Sequence, residues 1–184
     1  PYPVPLIEVS GKPMIQRVVE NLSEIADDIR FIFVLRDEDC RQFHLDNTVN
    51  LLTNDKTRII RLRGNTRGAL CSALMAVDTI DNDEPLVIAN SDQIFKGILP
   101  KFFPLLTAPG ADAGCFYFEA VHPRWSYVRL EKDRVVEAAE KNPISRNAIA
   151  GLYYFSKGSL FIEAAKKTIL NGRTDGDQFY LAPS

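Results

Sequence analysis

The sequence predicts an α/β fold with a mixed, mainly parallel sheet flanked by helices. Three observations support this class. Short apolar segments alternate with amphipathic segments through the first half of the chain, and two of the apolar segments are uninterrupted, as in strands buried on both faces. The second half is rich in strand-like segments. Alternating strands and helices imply right-handed crossovers between parallel strands, whereas the second half is expected to be more antiparallel.

The expected elements of the first half begin with a short strand end over 6–9. Pro13 then suits the first turn of a helix, because apolar residues from Ile15 to Ala26 recur at helical spacing. The elements that follow are a strand over 31–35, a helix over 37–44, a strand over 58–62, a helix over 66–76 and a strand over 85–89.

In the second half we expect a helix over 97–106, strands over 113–120, 127–130, 134–138 and 149–155, and a helix over 157–170. No linker-like stretch, repeat or low-complexity segment interrupts this series. We therefore expect residues 1–184 to form one domain.

Composition excludes several classes of function. The 184 residues carry 22 Lys and Arg against 24 Asp and Glu, so there is no basic excess of the kind that nucleic-acid binding requires. No run of about 18 apolar residues predicts a membrane span. The three cysteines are widely spaced, which argues against a zinc site or a disulfide framework and makes the reducing cytoplasm the expected location.

Asp92 is the first candidate site residue. The sequence Asn90-Ser91-Asp92 directly follows the predicted strand 85–89, and ligands of open α/β sheets bind at the carboxyl ends of strands. Mg²⁺ takes one or two carboxylates and completes its shell with water and substrate phosphates. Alternatively, Asp92 caps the segment that enters the next helix. Position alone leaves both readings open.

A second candidate is the turn Thr66-Arg67-Gly68, between a predicted strand and a predicted helix. A glycine there lets the backbone approach a ligand, and a helix N-terminus favours an anion or a polar ring. The segment matches neither GxGxxG nor GxxxxGK[ST], so an ordinary strand-to-helix turn is the alternative.

Glu140-Lys141 follows a predicted strand and is the third candidate. A carboxylate accepts hydrogen bonds from sugar hydroxyls, and a lysine neutralises a phosphate. The alternative is a solvated surface ion pair. His44 and His122 lack a nucleophile partner, so both are expected to be structural, and Trp125 is expected in the core unless it walls a sugar site.

Five segments, in order along the chain, resemble motifs of the sugar-phosphate nucleotidyltransferases, the nucleoside-diphosphate-sugar pyrophosphorylases. They are 5–15 (the segment after a glycine-rich loop), 66–69 (a base-binding turn), 85–92 (a strand ending in a metal-binding aspartate), 139–143 (a Glu-Lys-Pro-type sugar site) and 151–155 (a Gly-hydrophobic-Tyr strand). Each motif is weak by itself, whereas the five in this order are specific.

The resemblance implies a Rossmann-like, glycosyltransferase-A-type fold and formation of a nucleoside-diphosphate sugar and pyrophosphate from a nucleoside triphosphate and a sugar 1-phosphate. The roles it implies are Mg²⁺ binding by Asp92, nucleotide binding by Thr66, Gly68 and Asn90, sugar-phosphate binding by Lys141, and sugar binding by Glu140, Tyr127 and Gly151. Family members often self-associate, so a homo-oligomer is compatible with the resemblance, whereas nucleic-acid and membrane partners are not expected.

The chain also departs from the family pattern. The glycine-rich loop would precede Pro1, so the domain is expected to lack that loop and its C-terminal end. Val4 stands where the family usually has a lysine, which suits a subgroup serving polysaccharide biosynthesis. A second metal carboxylate is expected near residues 179–184, where no aspartate aligns. Asp177, or Asp175, is the candidate substitute.

Two alternatives remain at this stage. One is a cytidylyltransferase for a non-sugar phosphate such as phosphocholine, although Glu140 suits hydroxyl-rich sugars better than a cationic headgroup, which an aromatic or acidic cage would bind. The other is a non-catalytic, regulatory homologue that binds nucleotide sugars, which the missing lysine and the missing second carboxylate favour.

Overall fold

A computed structural model describes residues 2–54, 56–172 and 178–181 of the chain. A 3-10 helix, Val4–Leu6, precedes the strands and helices. The strands are β1 Glu8–Val9, β2 Lys12–Pro13, β3 Phe31–Arg36, β4 Thr57–Leu62, β5 Leu86–Ala89, β6 Ala113–Glu119, β7 Tyr127–Glu131, β8 Arg134–Ala139 and β9 Asn147–Phe155. The helices are α1 Met14–Leu22, α2 Asp37–Phe43, α3 Leu45–Leu52, α4 Ala69–Leu74, α5 Val77–Ile80, α6 Leu99–Leu106 and α7 Gly158–Leu170.

The chain forms two compact units, each assembled from two stretches of sequence. The first unit comprises Pro1–Asn65 and Asn90–Ala108, and the second comprises Thr66–Ala89 and Pro109–Ser184. Among the described residues, no helix is both long and apolar enough to cross a membrane.

The first unit is organised by the parallel pair β3 and β4, whose register runs from Phe31 opposite Thr57 to Arg36 opposite Leu62. Helices α2 and α3 lie between the two strands in sequence, so they form the crossover that a parallel connection needs. The buried core of this unit is contributed by the strand and the helices together, at Ile15, Leu35, Cys40, Leu45 and Val49.

The order of elements expected from Phe31 onward is confirmed, with two additions. Helix α3 was not expected, although Leu45 and Val49 are spaced one turn apart and are 1% and 0% exposed. The helix expected over 66–76 is instead two short helices, α4 and α5. At the start of the chain, the expected strand over 6–9 is confirmed only at its end, since Leu6 belongs to the 3-10 helix.

The second unit contains a five-stranded sheet centred on β9. Strands β5, β6 and β7 each pair with β9 in antiparallel orientation, and β8 pairs with β7 in the same way. The mixed α/β class is confirmed, but the expectation of a mainly parallel sheet is not: β3 with β4 is the parallel pair among the described strands. The alternation of apolar and polar segments predicts where strands lie in the sequence. It could not reveal that β9, the last strand, lies between strands that precede it in the chain.

Strand β9 changes partner halfway along its length. On one edge its last residues, from Leu152, pair with β5, whereas Ala148 pairs with β7. On the other edge the register with β6 shifts beside Phe116, and Gly151 lies at this irregularity with a φ of +67°. A side chain is disfavoured in that left-handed conformation, so the bend requires glycine.

Helix α7 begins against the turn that precedes β5. The backbone N–H of Gly158 donates to the carbonyl of Glu84 at 2.9 Å, and Ser159 N–H donates to the carbonyl of Asn82 at 2.9 Å. A Cβ atom on Gly158 would overlap the carbonyl oxygen of Ile80 and lie 2.9 Å from its carbon. The absence of a side chain therefore permits this close packing.

We expect Gly158→Ala to lower the free energy of unfolding, measured by urea denaturation. Alanine favours a helix over glycine by about 1 kcal/mol, but forcing a methyl group into a packed backbone costs about 1–3 kcal/mol, and a backbone oxygen cannot rotate away as a side chain would. Ser159→Ala in the same turn is the control and should leave stability near that of the wild type. A more stable Gly158→Ala protein would contradict the packing argument.

Candidate functional site

The Asp92 turn follows β5 directly. Asn90, Ser91 and Asp92 are exposed, and the Asn90 side-chain amide donates to Gln93 Oε1 at 3.1 Å. Helix α6 starts only at Leu99, with Ile98 at its N-cap position. The reading of Asp92 as the cap of the next helix is therefore wrong, and its carboxylate faces solvent in a turn at the carboxyl end of a strand.

The loop after Asp92 is anchored at Phe95, which is 7% exposed. The backbone N–H of Phe95 donates to Asn21 Oδ1 at 2.6 Å, and the Asn21 side-chain amide donates to the carbonyl of Phe95 at 3.3 Å. Both residues lie in the first unit. A side chain on α1 thus holds the backbone three residues beyond Asp92.

The turn that precedes α4 is braced by its own hydroxyl groups. Thr66 Oγ1 donates to the carbonyl of Gly68 at 3.2 Å and lies 2.6 Å from Ser72 Oγ, which also bonds to that carbonyl. Gly68 adopts a φ of +98°, which is accessible to glycine and strained for other residues. The position of the Thr66 hydroxyl is thus set by the turn itself.

Gly68 is in backbone contact with the segment Gln178–Leu181. Phe179 N–H donates to the carbonyl of Arg67 at 2.7 Å, and Leu70 N–H donates to the carbonyl of Phe179 at 3.2 Å. A Cβ atom on Gly68 would overlap the Phe179 carbonyl oxygen and lie 2.9 Å from its nitrogen. Glycine is therefore required here by the chain itself, whether or not a nucleotide also approaches the turn.

Glu140 is half-buried just after β8 and accepts a hydrogen bond from Ser126 Oγ. Burial raises the pKa of Tyr153, the nearby Cys115 and Glu140 charges raise it further, and its hydrogen bond with Ser126 acts in the opposite direction. Glu140, Ser126 and Tyr153 therefore form a connected polar group. Since the tyrosine stays protonated, its hydroxyl can donate within that group.

Lys141 is exposed and has a φ of +49°, so it occupies the left-handed region that few non-glycine residues adopt. Its ammonium group donates to the Tyr180 hydroxyl at 2.9 Å and lies 4.6 Å from the centre of the Tyr180 ring. The Tyr180 hydroxyl in turn donates to Gln178 Oε1 at 2.7 Å. Glu140 and Lys141 each have a partner elsewhere in the fold, which a plain surface ion pair would not provide.

Tyr127 and Gly151 occupy structural positions in the second unit. The Tyr127 side chain has no exposed surface, and its hydroxyl donates to the carbonyl of His122 at 2.7 Å. Contact with a sugar would therefore require this side chain to move. His122 Nδ1 accepts from Arg124 N–H at 3.1 Å, which is the structural role expected for this histidine.

An open cleft of about 580 Å³ lies in the first unit, where the parallel strands β3 and β4 end. Its charges are partly compensated, since Arg36 forms two hydrogen bonds of 2.8 Å with Asp39, and Arg41 pairs with Asp37 at 2.9 Å. The lining residues are Arg36, Asp37, Glu38, Arg41, Gln42, Leu62, Arg63, Gly64 and Asn65. None of the site residues expected from the sequence lines it.

The second unit brings two of the expected site turns onto one segment. Gln178–Leu181 contacts Gly68 through the Phe179 backbone and Lys141 through the Tyr180 side chain. Asn90 and Asp92 belong to the first unit. Asp175 and Asp177, the candidate second carboxylates, lie outside the described residues.

Sequence reasoning missed Asn21, Ser126 and Tyr180, and it named Tyr153 as part of the 151–155 strand motif without assigning it a role. Ser126 is 14 residues from its carboxylate partner, Tyr180 is 39 residues from Lys141, and Asn21 is 74 residues from Phe95. No local motif connects residues at those distances. The signal that the sequence offered for Asn21 was a polar residue among the apolar positions of a predicted helix.

Asp92 can serve as a magnesium ligand. Among the described residues, no three His, Cys, Asp or Glu side chains cluster as an enclosed metal site would require. Mg²⁺ commonly keeps several waters and binds through one or two carboxylates and substrate phosphates, so a single exposed aspartate fits that mode of binding.

We expect Gly68→Ala to destabilise the protein more than Gly64→Ala does. Both glycines have a positive φ, of +98° and +113°, so both alanines are strained, but a Cβ on Gly64 meets no atom within 4 Å. The difference between the two free energies of unfolding therefore isolates the contact with Phe179, for which we expect about 1–3 kcal/mol. Equal losses in thermal or urea unfolding would contradict the docking of Phe179 on this turn.

In sequence, the chain is similar to a known bifunctional protein. No protein-family model matches the chain. It is 29% identical over 175 residues to the bifunctional protein GlmU of Methanocaldococcus jannaschii, an alignment that covers 93% of this chain. The chain spans 38% of the length of that relative.

Solved structures give a closer match in shape. The nucleoside-diphosphate-sugar pyrophosphorylase of Vibrio cholerae RC9 superposes with a TM-score of 0.78 at 20% identity, covering 98% of this chain and 77% of the other. A UDP-glucose pyrophosphorylase complexed with UDP-glucose superposes with a TM-score of 0.74 at 16% identity, covering 98% of this chain and 76% of the other. The chain has the fold of the nucleoside-diphosphate-sugar pyrophosphorylases, and the resemblance seen in its sequence motifs is confirmed at that level.

Proposed function

We propose that the chain is the catalytic core of a nucleotidyltransferase that forms a nucleoside-diphosphate sugar and pyrophosphate from a nucleoside triphosphate and a sugar 1-phosphate. The observation that carries this proposal is the segment Gln178–Leu181, which contacts both Gly68 and Lys141. The resemblance assigns these residues to the nucleotide and to the sugar phosphate. Two turns 73 residues apart in sequence (68 and 141) thus share one support, as a two-substrate site requires.

The reaction needs positioning more than acid–base chemistry. An oxygen of the sugar phosphate attacks the α-phosphorus of the nucleoside triphosphate, a new P–O bond forms, and pyrophosphate leaves. The attacking phosphate is already ionised at neutral pH, so no side chain has to remove its proton, and the rate depends on in-line placement and charge neutralisation. A bound Mg²⁺ would neutralise phosphate charge.

Lys141 neutralises the sugar phosphate in this proposal. Its ammonium group is a mobile point charge with three donors, and Tyr180 uses one donor and offers its ring face to the charge. The ammonium group can bind phosphate oxygens while Tyr180 limits the conformations of the long side chain. The lysine is therefore partly preorganised for its substrate.

Glu140 binds sugar hydroxyls in this proposal. Ser126 bonds to Oε2, which fixes the rotation of the carboxylate about its last bond. A fixed carboxylate presents its lone pairs in defined directions, which distinguishes a hydroxyl-rich sugar from a cationic headgroup. The proposal of a sugar rather than phosphocholine rests on this arrangement.

We expect Asp92→Asn to reduce Mg²⁺-dependent pyrophosphate release by about a thousandfold, equivalent to roughly 4 kcal/mol of transition-state stabilisation. The amide keeps the shape of the carboxylate but loses the negative charge that holds the cation. Release would be measured over a panel of nucleoside triphosphates and sugar 1-phosphates. Asp133→Asn in the exposed β7–β8 turn is the control, and a wild-type protein that releases no pyrophosphate with any pair would refute the proposed function and favour the non-catalytic alternative.

We expect Lys141→Met to raise the KM for sugar 1-phosphate by about 10- to 100-fold, the usual effect of losing a hydrogen bond to a charged group, with a smaller effect on the KM for the nucleoside triphosphate. Methionine keeps the aliphatic stem and the same backbone requirement at this left-handed position. Lys157→Met, which removes an exposed lysine paired with Asp83 at 3.0 Å, is the control. Equal increases in both KM values would rule out the role of Lys141 at the sugar phosphate.

A further inference from the structure

Asn21 is a buried polar residue whose side chain is committed to the loop that carries Asp92. It is 5% exposed on α1, and it bonds to both the N–H and the carbonyl of Phe95. The amide of an asparagine side chain has the same donor and acceptor as a peptide group. Asn21 therefore pairs with Phe95 as a neighbouring strand would.

An asparagine is an unfavourable choice for this position unless the pairing matters. Asn has low helix propensity, and a buried amide is costly unless its polar atoms are hydrogen-bonded. The adjacent buried positions of α1 are occupied by Ile15, Val18 and Val19. An aliphatic residue would continue that apolar face but would remove both side-chain hydrogen bonds to Phe95, whose carbonyl also accepts from Ile98 N–H at 3.1 Å.

The loop between β5 and α6 contains no regular secondary structure over residues 90–98. Asp92 lies in sequence between Ala89, which pairs in the sheet, and Phe95, which Asn21 holds. The Asn90–Gln93 bond closes the turn between those two points. Asn21 thus supplies the restraint on the C-terminal side of Asp92.

We propose that Asn21 is a positioning residue that holds the loop after β5 in the conformation in which the Asp92 carboxylate binds Mg²⁺. The catalytic part of this inference rests on the proposed function, whereas the structural part does not. A misplacement of about 1 Å in a site that works by alignment costs about a hundredfold in rate, so a restraint three residues from the carboxylate has a measurable effect on catalysis.

Hydrogen–deuterium exchange tests the restraint without reference to activity. In Asn21→Ala we expect amides of the segment 90–97 to exchange at least about tenfold faster than in the wild type, while amides of β3 and β9 keep their protection, because local opening is independent of global unfolding. Ser23→Ala is the matched control, since Ser23 Oγ also bonds near the end of α1, but to the carbonyl of Val19 in the same helix, at 2.8 Å. Unchanged exchange over 90–97 in Asn21→Ala would overturn the proposal.

A double-mutant cycle tests whether the effect on catalysis passes through Asp92. Asn21→Ala alone should lower kcat about tenfold and raise the Mg²⁺ concentration for half-maximal activity, but add less than about twofold to the loss in Asp92→Asn, as expected for residues that act together. Multiplicative losses would show that Asn21 acts elsewhere and would overturn the catalytic part. If the wild-type protein is inactive, the proposed function fails, and the exchange experiment alone decides whether Asn21 restrains the loop.

A second variant covers the case in which Asn21→Ala does not fold. Asn21→Asp keeps the shape and the acceptor for Phe95 N–H but loses the donor to its carbonyl. We expect the amides of 90–97 in Asn21→Asp to exchange faster than those of the wild type and of Ser23→Ala. If Asn21→Ala folds, its amides should exchange faster still. Wild-type exchange and wild-type Mg²⁺ dependence in Asn21→Asp would show that the bond to the carbonyl has no part in the restraint and would overturn the two-bond pairing.

Discussion

The second unit depends on strand β9, because it is hydrogen-bonded along both edges and must change partner within its length. Its C-terminal half pairs with β5 and its N-terminal half pairs with β7, and Gly151 lies at the bend between them. The change of partner along β9 determines where β5 and β7 stop pairing with it. Ser126 N-terminal to β7 bonds through its carbonyl to Ile149 of β9, and its hydroxyl bonds to Glu140 after β8. The polar group of Glu140, Ser126 and Tyr153 is therefore assembled around β9 by strand pairing alone, without any catalytic requirement.

Strands and helices were predictable where a local pattern determines them. The uninterrupted apolar run at 31–35 became β3, and the helical spacing from Leu160 onward became α7. Strand direction was not predictable in this way, because it depends on which distant segments pair. Strand β9 lies antiparallel to its neighbours through pairings with β5, β6 and β7, whose paired residues are more than 20 positions earlier in sequence. Helix α3 was missed because its two buried hydrophobic residues, Leu45 and Val49, are too few to form a clear stripe.

The candidate site likewise has residues that a local pattern predicts and residues that depend on distant contacts. Residues in local motifs (Asp92, Gly68, Glu140 and Lys141) could be named from the sequence, and their surroundings could not. For Gly68 the structure changes the physical reason: the residue is glycine because the Phe179 backbone occupies the space of a side chain. This contact within the chain accounts for the glycine, and nucleotide binding at the same turn is a separate proposal. The glycine of a motif can therefore be required for a reason that lies elsewhere in the chain.

The proposed transfer needs no general base, so it asks little of individual reactive side chains, which is consistent with a sequence whose two histidines lack a nucleophile partner. The groups that matter in such a site are charges held in fixed directions, and each charge requires a support. Lys141 is supported by Tyr180 and Glu140 by Ser126, while the turn of Asp92 is held through Asn21 and Phe95. In each case the supporting residue is polar, uncharged and distant in sequence. The proposed site therefore depends in part on residues that belong to no recognisable catalytic motif.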